Sequence, residues 1–385
     1  MGAMAPRNER VTQQTVPATG QVASQGYQGP YERQRVRRPR WHDYTAFVLS
    51  GGGARGALQV GALRALLERD IQPDVIVGTS IGAWNGAWLA AHPTLGGMDE
   101  LADIWRGLRS EQVLLGRDIL HAPPQALTGV LMLAAAQRMT RGYPSLYSDA
   151  GVRQLLTRSV GDRTFADLQT PLHIIAADLT SGTRAIFNEG PLIPAILASS
   201  AIPGVFPPVR IGDSVYADGC ALDSCSIETA LQQGARRLFV LAVGYENSEE
   251  DGAYWSSMLA PVTSSHSSHS SSHTTPRAKG EPSHGMAAIF ERITQVVSLY
   301  QLQQALQRIP RGVETHVIFL PTGHGANMLD FSAANEWMKS AYIVASQYLD
   351  THLERATSQG NSAVVGVAEA PTLPPETSSE SESVA

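Results

Sequence analysis

Thr45-Ala46-Phe47-Val48-Leu49-Ser50-Gly51-Gly52-Gly53-Ala54-Arg55-Gly56, followed after one helix-length stretch by Asp74-Val75-Ile76-Val77-Gly78-Thr79-Ser80-Ile81-Gly82, is the part of this chain that decides its fold. Thr45–Ser50 is a short apolar run that stops at glycines, the pattern of a strand covered on both faces. From Ala57 to Arg69, Leu58, Leu63, Leu66 and Leu67 recur at helical spacing. Asp74–Thr79 is a second strand and Ile81–Ala91 a second helix. A right-handed βαβ crossover sets the glycine loop beside the Ser80 turn, at the carboxyl ends of parallel strands. Gly78-Thr79-Ser80-Ile81-Gly82 has the form of a nucleophile elbow, a sharp strand-to-helix turn that presents a serine. The glycine loop can aim bare backbone N–H groups at an anion. A serine beside such a nest points to acyl transfer.

Outward from this unit, Met98–Ser159 reads as mostly helical, with breaks at Pro123-Pro124 and Pro144. Strands are expected at Leu172–Leu179, Thr183–Phe187, Ser214–Ala217, Arg237–Val243 and Thr315–Leu320. A short helix is expected over Pro194–Ser200, and longer ones at Ala287–Gln307 and Ser332–Leu353. These elements give one α/β domain over residues 44–356: three layers, α/β/α, around a mostly parallel central sheet. Residues 1–43 form a polar arm and 357–385 a polar tail, and neither can bury enough apolar surface to order, so both are expected to be disordered. The Ser/His-rich stretch 246–285 reads as an insertion on the surface, with His266, His269 and His273 as linker residues rather than metal ligands.

Composition excludes several classes. A net charge of −6 over 385 residues lacks the basic surplus of a nucleic-acid protein. Arg33, Arg35, Arg37, Arg38 and Arg40 read as a solvated arm, with contact to anionic lipid headgroups as the sharper alternative. Two cysteines, Cys220 and Cys225, make no disulfide framework and fit a reducing compartment. Neither a signal-peptide core nor a spanning run is evident, so a cytoplasmic protein is expected, with any membrane contact peripheral. No Gly-Lys-Ser/Thr follows the glycine loop and no calcium loop appears, so neither a cofactor nor a metal is expected. A dinucleotide site would need an acidic residue at the end of the second strand, where Ser80 stands instead. The base for Ser80 stays open at this level: His316 and His324 lie late in the chain, and Asp218 follows a strand in Ala217-Asp218-Gly219-Cys220.

Four ordered blocks carry a family resemblance: Gly51–Gly56, Gly78–Gly82, Ala198-Ser199-Ser200-Ala201-Ile202-Pro203-Gly204-Val205-Phe206-Pro207-Pro208, and Asp218-Gly219. Over about residues 46–243 the chain resembles the patatin-like phospholipases. That resemblance implies a Ser-Asp dyad without a histidine, Ser80 as nucleophile and Asp218 as base, with an acyl-enzyme intermediate. It implies an oxyanion hole from the N–H groups of Gly52, Gly53 and Ala54, with Gly51, Arg55, Gly56, Gly78, Gly82 and Gly219 as supporting motif residues. The substrate would be a lipid or other acyl ester. The alternative is a non-catalytic lipid-binding or regulatory module on the same fold. The chain departs from the family at Cys220, where Gly or Ala is usual, and the thiol is expected to pack beside the dyad. Arg55 is read as holding the loop, with a lipid phosphate as its alternative partner, Ser199 and Ser200 as cleft wall, and Trp84 and Trp88 as core packing rather than acyl contact. The apolar stretch Leu114–Met139 fits either a lipid-facing cap or a core helix.

Overall fold

In the computed structural model the described residues are 44–115, 133, 136–246, 286–322, 328–358 and 366–367. The arm 1–43, nearly all of the insertion 246–285, His324 and most of Leu114–Met139 lie outside them.

The opening βαβ unit forms as its apolar pattern dictates. Strand β1 (Thr45–Leu49) is buried along its whole length, and helix α1 (Gly56–Leu67) follows the glycine loop. Strand β2 (Val75–Thr79) pairs with β1 in parallel, and helix α2 (Ile81–Ala91) starts directly after Ser80. Beyond these come α3 (Leu95–Gly107), α4 (Ser110–Leu115) and α5 (Ala150–Ser159). Strands β3 (Leu172–Asp178) and β4 (Thr183–Phe187) precede α6 (Leu192–Ser199). Then follow β5 (Val209–Ile211), β6 (Ser214–Asp218), α7 (Ile227–Gln232) and β7 (Arg237–Glu246). The described chain closes with α8 (Met286–Gln307), β8 (Glu314–Thr322), α9 (Ala334–Ser358) and β9 (Gly366–Val367).

The strand order is β5-β6-β3-β2-β1-β7-β8-β9, with β4 also on β3. β1, β2, β3, β7, β8 and β9 run parallel, while β4, β5 and β6 join through antiparallel pairs. Alternation along the strands splits the core into two layers. Phe47, Leu49 and Ile76 enter one cluster with residues of α1, α2, α3 and α9. Ala46, Val48, Val75 and Val77 enter the other with residues of α7 and α8. Both faces of the sheet are therefore covered, which explains why its central strands read as unbroken apolar runs. The fold is the three-layer α/β/α arrangement expected.

Two strands differ from the reading. β5 was not expected; it lies directly after a proline-rich stretch that reads only as a turn. β9 falls within the tail expected to be disordered, and pairs with β8 at His316 and Val317. An edge strand offers a row of free N–H and C=O groups, so two residues can dock there with no apolar pattern of their own.

The register around β3 positions the chemistry. β2 runs alongside β3 only as far as Thr79 opposite Ile175. β4 occupies the other edge of β3 from Ile174 to Asp178. β6 descends antiparallel on the edge shared with β2, and ends with Asp218 opposite Ala176. The two strands thus meet head to head along one edge. The residue after one and the last residue of the other are Ser80 and Asp218.

Candidate active site

Ser80 takes φ 55° and ψ −122°, one of two non-glycine residues with positive φ among those described. Such a backbone costs about 1–3 kcal/mol and persists only where its surroundings enforce it. The flanking glycines allow the tight bend: a Cβ on Gly82 would stand against the carbonyl oxygen of Leu49, and one on Gly78 against that of Gly82. The bend is braced from α6. Ser199 Oγ accepts from the Ser80 N–H at 2.7 Å and donates to the Ile175 carbonyl at 2.5 Å. The sequence reading put Ser199 in the cleft wall; it is a fully buried strut of the turn.

Ser80 Oγ donates to Asp218 Oδ2 at 2.6 Å, and both residues are buried. The other carboxylate oxygen accepts from the Cys220 N–H at 2.9 Å. The Asp218 N–H donates to the Ala201 carbonyl at 2.9 Å, which fixes its strand against the end of α6. Burial lifts the Asp218 carboxyl above its ordinary value, opposed by the hydrogen bonds from Ser80 and Cys220. A carboxylate made more basic in this way is better matched to a serine hydroxyl.

Of the other candidate bases, His316 lies buried in β8, stacked on Phe239. Its ring nitrogens bond Glu314 at 2.6 Å and the Tyr348 hydroxyl at 3.0 Å. It is a core histidine satisfied within its own layer.

The glycine loop faces the elbow. A Cβ on Gly51 would meet Cys220 Sγ and come within 3.1 Å of Ser80 Cβ. Among the described residues, the N–H groups of Gly52 and Gly53 have no hydrogen-bond partner, whereas Ala54 N–H donates to the Met328 carbonyl at 2.7 Å. Ala54, expected to be a third oxyanion donor, is therefore committed elsewhere. Its N–H belongs to the turn that opens α1, where a carbonyl from the 328–331 segment satisfies it. Gly53 has φ +60°, which turns the chain into that helix.

Two buried amides pin the loop at both ends. Gln59 Nε2 donates to the Ser50 carbonyl at 2.7 Å, and Asn85 Nδ2 donates to the Gly56 carbonyl at 2.9 Å. Asn85 also bonds Gln59 Oε1 at 2.9 Å and accepts from Trp105 Nε1 at 3.0 Å. The sequence reading missed this network. Its signal was present: Gln59 and Asn85 are lone polar residues within apolar helical stretches, and both are fully buried. Gly219 is placed by close approach to the Ile175 carbonyl. The Cys220 sulfur packs beside Asp218 and against Gly51, and burial with the neighbouring carboxylate holds the thiol protonated.

Helix α8 grips both loops that carry the chemistry. Glu291 forms an ion pair with the buried Arg55. Gln301 accepts from the Ser224 N–H at 2.9 Å and reaches the carbonyls of Cys220 and Ala221 at 3.4 Å. The ion pair ties Arg55, at the end of the glycine loop, to this helix.

Two cavities meet at Ser80. One is a narrow apolar cavity lined by Trp84, Val113, Leu155, Ile196, Phe206 and Phe331 among other apolar side chains. Trp84, read as core packing, is buried but lines this cavity, its indole N–H held by Ser159 Oγ at 3.0 Å. The other, a wider cleft, runs past Gly52, Asp218 and Cys220 to Phe290, Ile293 and Val297 of α8. Among the described residues no group of three His, Cys, Asp or Glu could hold a metal ion.

The family model described as patatin-like phospholipase matches residues 47–231. The chain is similar to patatin-like phospholipase domain-containing protein 7 of Mus musculus, 27% identical over 239 residues, covering 60% of this chain and 16% of that protein. It is also similar to an uncharacterised NTE-family protein of Mycobacterium bovis, 33% identical over 204 residues, 53% of this chain and 49% of that one. Among solved structures it is similar to VipD from Legionella pneumophila at a TM-score of 0.42 and 15% identity, over 80% of this chain and 67% of that one. The chain thus spans half or less of the length of these two curated relatives.

Proposed function

Because residues 47–231 belong to the patatin-like phospholipase family, we propose that this chain is a lipid acyl hydrolase that works through an acyl-enzyme on Ser80. One observation carries the reading: the 2.6 Å hydrogen bond from Ser80 Oγ to a buried Asp218 carboxylate, on a bend with positive φ.

Ser80 Oγ attacks the ester carbonyl carbon as its proton passes to Asp218. The carbonyl oxygen becomes an anion facing the free N–H groups of Gly52 and Gly53, with the N-terminal ends of α1 and α2 adding favourable dipoles. Collapse breaks the bond to the alcohol, which leaves with the proton from Asp218. Water then attacks the acyl-enzyme, gives its proton to Asp218, and Ser80 leaves with that proton as the carboxylic acid is released. The apolar cavity beside Ser80 takes the acyl chain, and the cleft toward α8 takes the remainder of the ester. Low dielectric around the site strengthens both the dyad and the amide donors.

A fluorophosphonate probe followed by peptide mass spectrometry tests this. The expected label sits on Ser80, is absent in Ser80→Ala, and is slowed by at least about a hundredfold in Asp218→Asn. Unchanged labelling in Ser80→Ala would overturn the assignment.

A further inference from the structure

Helix α8 carries an apolar stripe that its own packing does not use. Leu299, Leu302, Ala305 and Leu306 bind its C-terminal half to the second core cluster. Ile289, Phe290, Ile293, Val296, Val297 and Tyr300 are exposed, between 38% and 63%. At about 100° per residue these six side chains fall within one arc of about 120°, roughly opposite Leu299, Leu302 and Leu306. The helix therefore has two apolar faces, only one of which is covered among the described residues.

The uncovered stripe is continuous with the cleft that leads to Ser80. Phe290, Ile293 and Val297 line both, whereas Ile289, Val296 and Tyr300 extend the same surface outward. Across residues 286–307 the only charged side chains are Glu291 and Arg292, and Glu291 is engaged by Arg55. The helix is not apolar enough to span a bilayer. An uncharged apolar face that is anchored to the protein on its other side and opens onto the mouth of the site suits contact with a lipid surface, where apolar area leaves water. The anchors to Arg55 and to the 220–224 loop fix this face in register with the mouth of the site.

We propose that the exposed stripe of α8 is the surface that docks this protein on a lipid bilayer, with Phe290, Ile293 and Val297 forming the apolar threshold an acyl chain crosses toward Ser80. The choice of lipid as occupant rests on the hydrolase reading above. Ile289, Val296 and Tyr300 enter the acyl boundary and supply affinity without touching the reaction.

The test uses the full chain, phosphatidylcholine vesicles and a soluble short-chain p-nitrophenyl ester. Replacing Ile289, Val296 and Tyr300 by Gln should weaken vesicle sedimentation by about three orders of magnitude, since each such side chain left in water shifts binding by roughly tenfold. Hydrolysis of the soluble ester and the melting temperature should stay at wild-type values. If the triple variant melts early, I289Q and V296Q singly should each weaken sedimentation by about tenfold. Vesicle binding unchanged by these substitutions, or absent in the wild type, would overturn the proposal. So would a blue-shifted environment-sensitive dye on Ile289→Cys in the absence of vesicles, because another part of the chain would then cover the stripe. Vesicle binding lost in the variant, alongside a wild type that cleaves no ester, would uphold the surface and reject the hydrolase reading instead.

Discussion

Asp218 is a carboxyl whose folded-state pKa lies above its unfolded value because burial disfavours the charged form. Two consequences have opposite signs. Hydrolysis needs the ionised form, so the rate on a soluble ester should rise with pH through a single step placed above the ordinary carboxylate range, and then level off. Stability runs the other way: the folded state holds its proton more tightly, so stability falls as pH rises from the unfolded pKa through the folded one. Asp218→Asn should therefore melt higher than wild type at pH 8, with the gap closing at acid pH, while hydrolysis is lost. Thermal melts at the two pH values check this, and a lower melting temperature at pH 8 would contradict it. Ser199 offers the complementary case. Removing its hydroxyl leaves the Ser80 N–H and the Ile175 carbonyl buried without their partner. Ser199→Ala should cost about 1–3 kcal/mol of stability by denaturant titration, and lower kcat through a relaxed bend.

The first two strands and first two helices of this fold declare themselves in sequence, because each is a clean apolar run punctuated by glycine. Ser80 showed for a related reason, standing at a strand end between glycines, whereas the residues alone left its base open among Asp218, His316 and His324, and only the family resemblance implied Asp218. Other elements were silent. Helix α7 is six residues long and β5 three, too short for any period to show. The Gln59–Asn85–Trp105 network shows in sequence only as polar residues within apolar helices, and their meaning comes from partners 20 to 26 residues apart. Ala54 misled for the same reason: a backbone donor is free or spent according to a carbonyl more than 270 positions away. The network ties the start of α1 and α2 to the glycine loop, so its loss should be felt in rate. Asn85→Leu should lower kcat on a soluble ester by about tenfold or more, with KM little changed, as expected for misplaced oxyanion donors. A variant with wild-type kcat would show that the loop holds its shape without this amide.

At the scale of the molecule, the site belongs to no single segment. The acyl-side cavity is walled by α2, α5, α6 and the 328–331 segment, and the opposite cleft by α8 and the ends of β6 and β7. Specificity should then be separable from chemistry. Filling the apolar cavity with Leu155→Trp, remote from the dyad, should spare short-chain esters and reduce hydrolysis of long-chain ones by at least about tenfold. Loss of both alike would mean that the acyl chain lies in the other cleft.

The head-to-head meeting of β2 and β6 has a temporal side. The serine and its carboxylate stand 138 residues apart, and the edge of β3 they share lies between them in the chain. A polypeptide still emerging from the ribosome displays its hydroxyl long before it can activate it. On the proposed mechanism, the nascent chain carries no activated serine until Asp218 has been translated and its strand has paired with β3.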